Sequence, residues 1–186
     1  MKVIYLNKDQ SHLIKRAQNN NRDAQQKLFD SYSGKMLGVC RQYIKDLQFA
    51  EEVMLNGFFK VFINLKKFES KGSFEGWVRR IMVNESISFL RKKKRLVFVN
   101  NDTFFEAETT NQFEEESDVG SLQYLIDNLQ DDFRIVFNLF VIEGYKHKEI
   151  ASILKISEQV SRMRFFRARK QLKEEYTRLK KIENGK

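Results

Sequence analysis

Charge in this 186-residue sequence is partitioned rather than spread. Residues 1–95 hold 20 basic and 9 acidic groups, residues 96–132 hold 10 acidic groups and no basic one, and residues 133–186 hold 14 basic and 6 acidic groups. The blocks carry +11, −10 and +8 within a total of +9. Two basic blocks around an acidic one predict two polyanion-binding modules rather than one uniformly sticky surface. The length suits one large domain or two small ones, and a content of 41% hydrophobic residues is enough for packed cores.

Composition excludes several chemistries. Cys40 is the single cysteine, so neither an internal disulfide nor a zinc site built on several thiolates is available. His12 and His147 are the only histidines, which excludes a multi-histidine metal centre, and no cofactor is expected. Cys40 has no histidine near it in sequence and reads as a buried core thiol. No apolar run reaches the length of a membrane span, and the stretch Met1–Asn7 lacks the apolar core and cleavage site of a signal peptide. The expected compartment is therefore the reducing cytoplasm. Proline is absent, so no helix need be interrupted by one.

Apolar spacing predicts an all-α chain. Asn21 can cap a helix from Arg22, with Ala24, Leu28 and Tyr32 on one stripe, before Gly34 loosens the chain. Met36, Leu37, Val39, Cys40, Tyr43 and Ile44 form the next face, and Phe49, Val53, Met54, Phe58, Val61, Phe62 and Leu65 another. After a polar loop over Glu69–Ser73, Ser73 can cap a long helix from Phe74 to about Arg95. Residues 96–121 hold seven acids and no sustained period, and read as a linker with short ordered pieces at Leu96–Val99 and at Phe104 and Phe105. Period returns at Leu122, Leu125, Ile126 and Leu129. Asp131 or Asp132 can cap a helix bearing Phe133, Val136, Phe137, Phe140 and Val141, which Gly144 ends.

Two motifs follow from this layout. His147–Leu154, the turn Lys155–Ser157 and a helix from Glu158 to about Ile182 have the pattern of a helix-turn-helix: a small Ala151, an apolar face of Ile150, Ile153 and Leu154, and Ile156 filling the turn. Ser161, Phe165, Ala168 and Leu172 should face inward on the second helix. That leaves Gln159, Arg162, Met163, Phe166, Arg167 and Lys170 outward, as a major-groove reader requires and as a basic solvated helix would also show. The second motif is Gly72-Ser73-Phe74-Glu75-Gly76-Trp77-Val78-Arg79-Arg80-Ile81-Met82-Val83-Asn84, aromatics among cations at a helix start. It suits a single-strand surface, with rings for stacking and cations for phosphate; Phe74 and Trp77 as plain core residues are the competing reading.

Together these motifs resemble the extracytoplasmic-function (ECF) class of bacterial sigma factors, in the sigma-70 family. The resemblance spans about Leu13 to Tyr176 and is best over Phe68–Arg95 and over the helix-turn-helix ending in Arg167-Ala168-Arg169. It implies two helical domains, a region 2-like domain at 8–95 and a region 4-like domain at 122–182, joined by the acidic linker at 96–121. It implies that Glu51, Glu52, Leu55, Asn56 and Phe59 meet the clamp helices of core RNA polymerase. Lys71, Ser73, Phe74, Trp77, Arg80, Asn84, Arg91, Lys92 and Lys93 would bind and open the −10 element, with a flipped base held near the loop. Gln159, Arg162, Met163, Phe166, Arg167 and Lys170 would meet the −35 element, and the second domain would touch the polymerase flap. The function implied is promoter recognition, −10 opening and transcription initiation, with no catalytic residue and no metal.

Two departures from the family pattern bear on those roles. Leu55 and Asn56 stand where the clamp-binding helix commonly has an amide and an acid, so polymerase binding is altered or uses a lineage-specific surface. Gln159, Val160 and Met163 stand where the recognition helix commonly has Gly-Thr and then Ser, and a thioether serves a base edge poorly. The expectation is weak autonomous −35 recognition, with another DNA-bound partner for recruitment; an anti-sigma factor is a further expected partner. A helix-turn-helix regulator working without polymerase is the rival reading, and it leaves the first basic block idle. An enzyme is not expected: Glu51 and Glu52 are adjacent on a helix, where side chains diverge.

Overall fold

The computed structural model describes residues 8–99 and 124–183, which are helical between short connections and contain no strand. The chain falls into two compact units that divide between Leu96 and Val97.

The first unit holds α1 (Lys8–Gln18), α2 (Arg22–Tyr43), α3 (Leu47–Asn64), a 3₁₀ turn (Leu65–Lys67) and α4 (Phe74–Val99). Asn21 caps α2 by accepting from the Ala24 amide at 2.9 Å. Asp46, which apolar spacing gives no reason to single out, caps α3 by accepting from Phe49 N at 3.0 Å. Ser73 Oγ accepts from Gly76 N at 3.3 Å and opens α4. The Gln18 side-chain amide donates to the carbonyls of Leu65 and Phe68 at 3.0 and 3.1 Å, tying α1 to the approach to the loop. The expected loosening at Gly34 does not occur. Helix α2 runs through Gly34 and Gly38 because Tyr32, Met36, Val39 and Cys40 bury one continuous face, and packing outweighs a propensity cost of about 1 kcal/mol per glycine. Helix α4 continues past Arg95 to Val99, over the first four residues of the expected linker; residues 100–121 lie outside the described part.

Its core joins Leu28, Met36, Cys40 and Tyr43 of α2 to Ala50, Val53 and Val61 of α3 and to Val78, Met82 and Ile87 of α4. Gly57 is a point of close approach, since a Cβ there would run into the Met82 side chain.

The second unit holds α5 (residues 124–127), α6 (Asp131–Val141), α7 (His147–Leu154) and α8 (Glu158–Glu183). Leu125, Ile126 and Leu129 are buried as expected, while Leu122 lies outside the described residues. Helix α6 corrects two expectations. Its N-cap position is Gln130; Asp131 and Asp132 sit in the first turn and form ion pairs instead, with Arg134 at 2.8 Å and with Arg164 of α8 at 2.7 Å. Its buried face is Arg134, Ile135, Val136, Asn138 and Leu139, whereas Phe133, Phe137 and Phe140 are half-buried and Val141 is exposed. Pairing with Asp131 lets the Arg134 side chain lie inside, which turns the helix away from the stripe that apolar counting selects. Gly144 takes φ +73° after α6, and the Tyr145 amide returns to Leu139 O at 2.9 Å.

The helix-turn-helix follows. Glu149 Oε2 accepts from Lys146 N at 2.7 Å at the start of α7. Lys155, at φ 55°, turns the chain out of it. Ser157 Oγ then caps α8 through Val160 N at 3.2 Å. Buried His147 Nδ1 and Ser161 Oγ, 3.0 Å apart, clasp α7 to α8, and the His147 ring stacks on Phe140 with centroids 4.5 Å apart.

Candidate nucleic-acid and partner interfaces

The loop between the 3₁₀ turn and α4 folds around a cleft of about 360 Å³. The loop can bend this way because Ser70 and Gly72 take φ of 56° and 148°, the second a conformation that favours glycine. Phe68 and Trp77, centroids 5.5 Å apart, supply its aromatic lining. Lys67, Glu69, Lys71 and Arg80 supply charge, and the small residues Gly72, Ser73 and Gly76 leave room. Lys71 Nζ lies 2.5 Å from Glu69 Oε2 in an exposed ion pair. A cleft with two ring systems and three cations admits a flat unstacked base with its neighbouring phosphates.

Sequence reasoning brings Lys71, Ser73, Trp77 and Arg80 to this cleft, and the structure does likewise. Asn84 and Arg91 continue the exposed face of α4 from Arg80, at helical spacing. Lys92 is exposed as well. Two residues fall elsewhere. Lys93 lies about 200° around the helix from Arg91, and its ammonium stands 5.3 Å from the Phe49 ring centroid at the start of α3. Phe74 is 1% exposed, packed on Tyr32, Phe68 and Trp77 at 5.5, 5.2 and 5.9 Å, and cannot stack on a base. It buttresses the aromatic lining instead. Lys67 and Phe68 are cleft residues that the sequence reading did not mark, because they precede the loop and the motif.

On α3, Glu51, Glu52, Leu55, Asn56 and Phe59 all face solvent. Leu55 and Phe59 are 53% and 67% exposed, and Ile63, one turn further at 63%, extends the stripe. Its i, i+4, i+8 spacing is the signal that would have found Ile63. Three large apolar side chains thus stand open to solvent beyond the acids Glu51 and Glu52.

On α8, Gln159, Arg162, Met163, Phe166, Arg167 and Lys170 are all exposed, while Ser161 and Ala168 are fully buried beneath them. Glu158 Oε1 accepts from Arg162 Nη2 at 2.5 Å and from Nε at 3.2 Å, which orients the guanidinium. Phe166 is 69% exposed and Met163 40%. The face therefore offers cations for phosphate or guanine and apolar groups suited to a thymine methyl.

Cys40 is fully buried, and burial pushes its thiol up to about 11 against a lowering hydrogen bond from Ser86. Burial first, and then the Arg162 charge, lower the His147 pKa, with Glu158 opposing. Among the described residues, no group of three or more potential ligands could hold a metal ion, and no helix is long and apolar enough to cross a membrane.

Known proteins match this arrangement in both units. Residues 28–96 match the family model for sigma-70 region 2 and residues 120–172 that for sigma-70 region 4. The chain is 26% identical over 170 residues to the RNA polymerase sigma-H factor of Pseudomonas aeruginosa, covering 84% of this chain and 88% of that one. It is 26% identical over 175 residues to the ECF RNA polymerase sigma factor SigW of Bacillus subtilis, covering 87% and 94%. Among solved structures it is similar in fold to the sigma factor RpoE of Bartonella quintana, determined in complex with the anti-sigma factor NepR, with a TM-score of 0.55, 21% identity, and 80% and 94% of the two chains covered. The chain belongs to the sigma-70 family, in its ECF class, as a polymerase-binding sigma factor. A free-standing helix-turn-helix regulator is not favoured, since it leaves the match at 28–96 unexplained.

Proposed function

We propose that the chain docks on core RNA polymerase through the α3 stripe and holds the opened −10 strand in the loop cleft and along α4. In this reading Glu51, Glu52, Leu55, Asn56, Phe59 and Ile63 meet the clamp helices. Trp77 and Arg80 hold a flipped base, and Asn84, Arg91 and Lys92 track the adjoining backbone. Unstacking that base costs a few kcal/mol, offset by stacking and by the surrounding cations. The observation that carries the reading is the aromatic cleft opening at the start of a cationic helix face.

Helix α8 is the −35 reader and its unit also meets the flap. Gln159, Val160 and Met163, standing where the family commonly has Gly-Thr and then Ser, support weak autonomous selection of −35 sequence, with a second DNA-bound protein aiding recruitment. The domains act as region 2-like (8–95) and region 4-like (122–182), with 96–121 as the acidic tether between them. The chain contributes no catalytic step of its own and works in the cytoplasm, where promoter DNA and polymerase are. An anti-sigma factor, such as the one bound to the Bartonella protein, would act by covering these surfaces.

Strand opening assayed with core polymerase, by reactivity of unpaired thymines around −10, tests this directly. Arg80→Ala should abolish most opening while leaving core binding intact; unchanged opening would reject the cleft as the −10 site.

A further inference from the structure

We propose that Gln18 of α1 is a positioning residue for strand opening: its side-chain amide aims the loop that walls the cleft. This rests on the reading of the cleft as the flipped-base site. Gln18 precedes residues 28–96, so the region 2 match does not account for it. Its Nε2 donates to Leu65 O at 3.0 Å and to Phe68 O at 3.1 Å. A side-chain amide carries two N–H donors, and here both are used. The two carbonyls bracket the 3₁₀ turn, which the Phe68 amide closes on Leu65 O at 3.1 Å. Holding Phe68 O fixes the planar peptide unit between Phe68 and Glu69, and so the direction in which the loop leaves the turn. The same bond secures Phe68, whose ring lies 5.5 Å from that of Trp77.

The loop needs such a tether. Ser70 takes φ 56°, a left-handed conformation that a non-glycine residue keeps only where its surroundings over-determine it. At the far end, Ser73 Oγ accepts from Gly76 N at 3.3 Å and fixes the loop to α4. Between the ends, the Lys71–Glu69 ion pair is exposed on both sides and holds little. Gln18 is thus the near-end counterpart of the Ser73 cap. A second tie from α1 reaches the same lining. Gln10 donates to the Tyr32 hydroxyl, and the Tyr32 ring packs edge-on against Phe74, which buttresses Phe68 and Trp77. A cleft already in shape takes up a base without first ordering the loop, so loss of the tether falls on strand capture rather than on docking through α3.

The test uses the chain assembled with core RNA polymerase and single-stranded non-template DNA that the native holoenzyme selects from a library randomised over the −10 region. Gln18→Met keeps the side chain's length and removes both donors, whereas Gln18→Lys restores donors on an ammonium. Gln18→Met should lower strand capture about tenfold with core binding within about twofold of native, and Gln18→Lys should capture within about threefold of native. Trp77 is the single tryptophan, so acrylamide quenching of the free chain reports the cleft; it should rise in Gln18→Met and return in Gln18→Lys. Where Arg80→Ala lowers capture, three results overturn the role of Gln18 alone: capture within about twofold of native in Gln18→Met, equal impairment of the two Gln18 variants, or a fall in core binding that matches the fall in capture. A native holoenzyme that selects no strand, or capture unaffected by Gln18→Met and by Arg80→Ala alike, overturns the cleft reading and this inference together.

Discussion

His147 and Cys40 show how burial, rather than composition, sets what a titratable side chain does. Burial in the fold lowers the His147 pKa, while the same residue in the unfolded chain titrates near 6.5. Above that pH both states are neutral and the residue contributes no pH dependence. Below it the unfolded chain takes up a proton that the folded chain does not, so stability falls as pH drops from about 6.5 toward the lowered folded value. Thermal unfolding of the full chain between pH 7.5 and 5.5 should lose more stability in the native protein than in His147→Gln. Cys40, with its thiol raised to about 11, stays protonated at pH 8, so alkylation there should track unfolding and be negligible in the native state. At the cleft, Arg80→Ala should weaken DNA binding by the holoenzyme about tenfold, whereas Arg91→Ala, on the backbone, should reduce its salt slope by about 1. The outward face of α8 was legible from spacing, whereas Trp77 and Arg80 were singled out by the family resemblance, since spacing alone left Trp77 open as a core residue. Phe68 was not legible, because only the fold of the loop brings its ring beside Trp77. Phe74 was misread as a DNA contact because an aromatic at a helix start looks the same whether it points out or in.

At the scale of elements, helix boundaries follow from caps, and which helix face is buried follows from pairing. Asn21, Ser73 and Ser157 were visible as caps in the sequence, and each bonds the amide three residues on. Helix α6 was harder to read, since a buried Arg134 joined to Asp131 cannot be told from an exposed one by apolar counting. The glycines divide by what surrounds them. Gly34 and Gly38 lie mid-helix in α2 with nothing near a would-be Cβ, so Gly34→Ala or Gly38→Ala should stabilise the first unit by about 0.5–1 kcal/mol. Gly57→Ala should destabilise it by about 1 kcal/mol, because overpacking against buried Met82 exceeds the helix-propensity gain. Urea titration of the three variants gives the signs. Phe59→Ala on α3 removes an exposed side chain and should leave stability within about 0.5 kcal/mol. The same change should weaken core-polymerase binding by about 2 kcal/mol if the stripe is the docking surface.

For the whole molecule, the charge partition fits a division of labour: two basic units that attach to nucleic acid and polymerase, and an acidic stretch between them. With about six phosphate contacts, the log–log salt slope of promoter binding should be near −5. The family follows from two matched regions in the expected order, yet charge gives no hint of the departures from the family pattern in the recognition helix, which fall on the uncharged Val160 and Met163. The most direct measurement is transcription in vitro with core RNA polymerase from the same organism, preceded by co-purification at low and moderate salt. The chain should elute with core at both salts and start transcripts at defined promoters. Failure to associate with core at either salt would contradict its role as the promoter-recognition subunit.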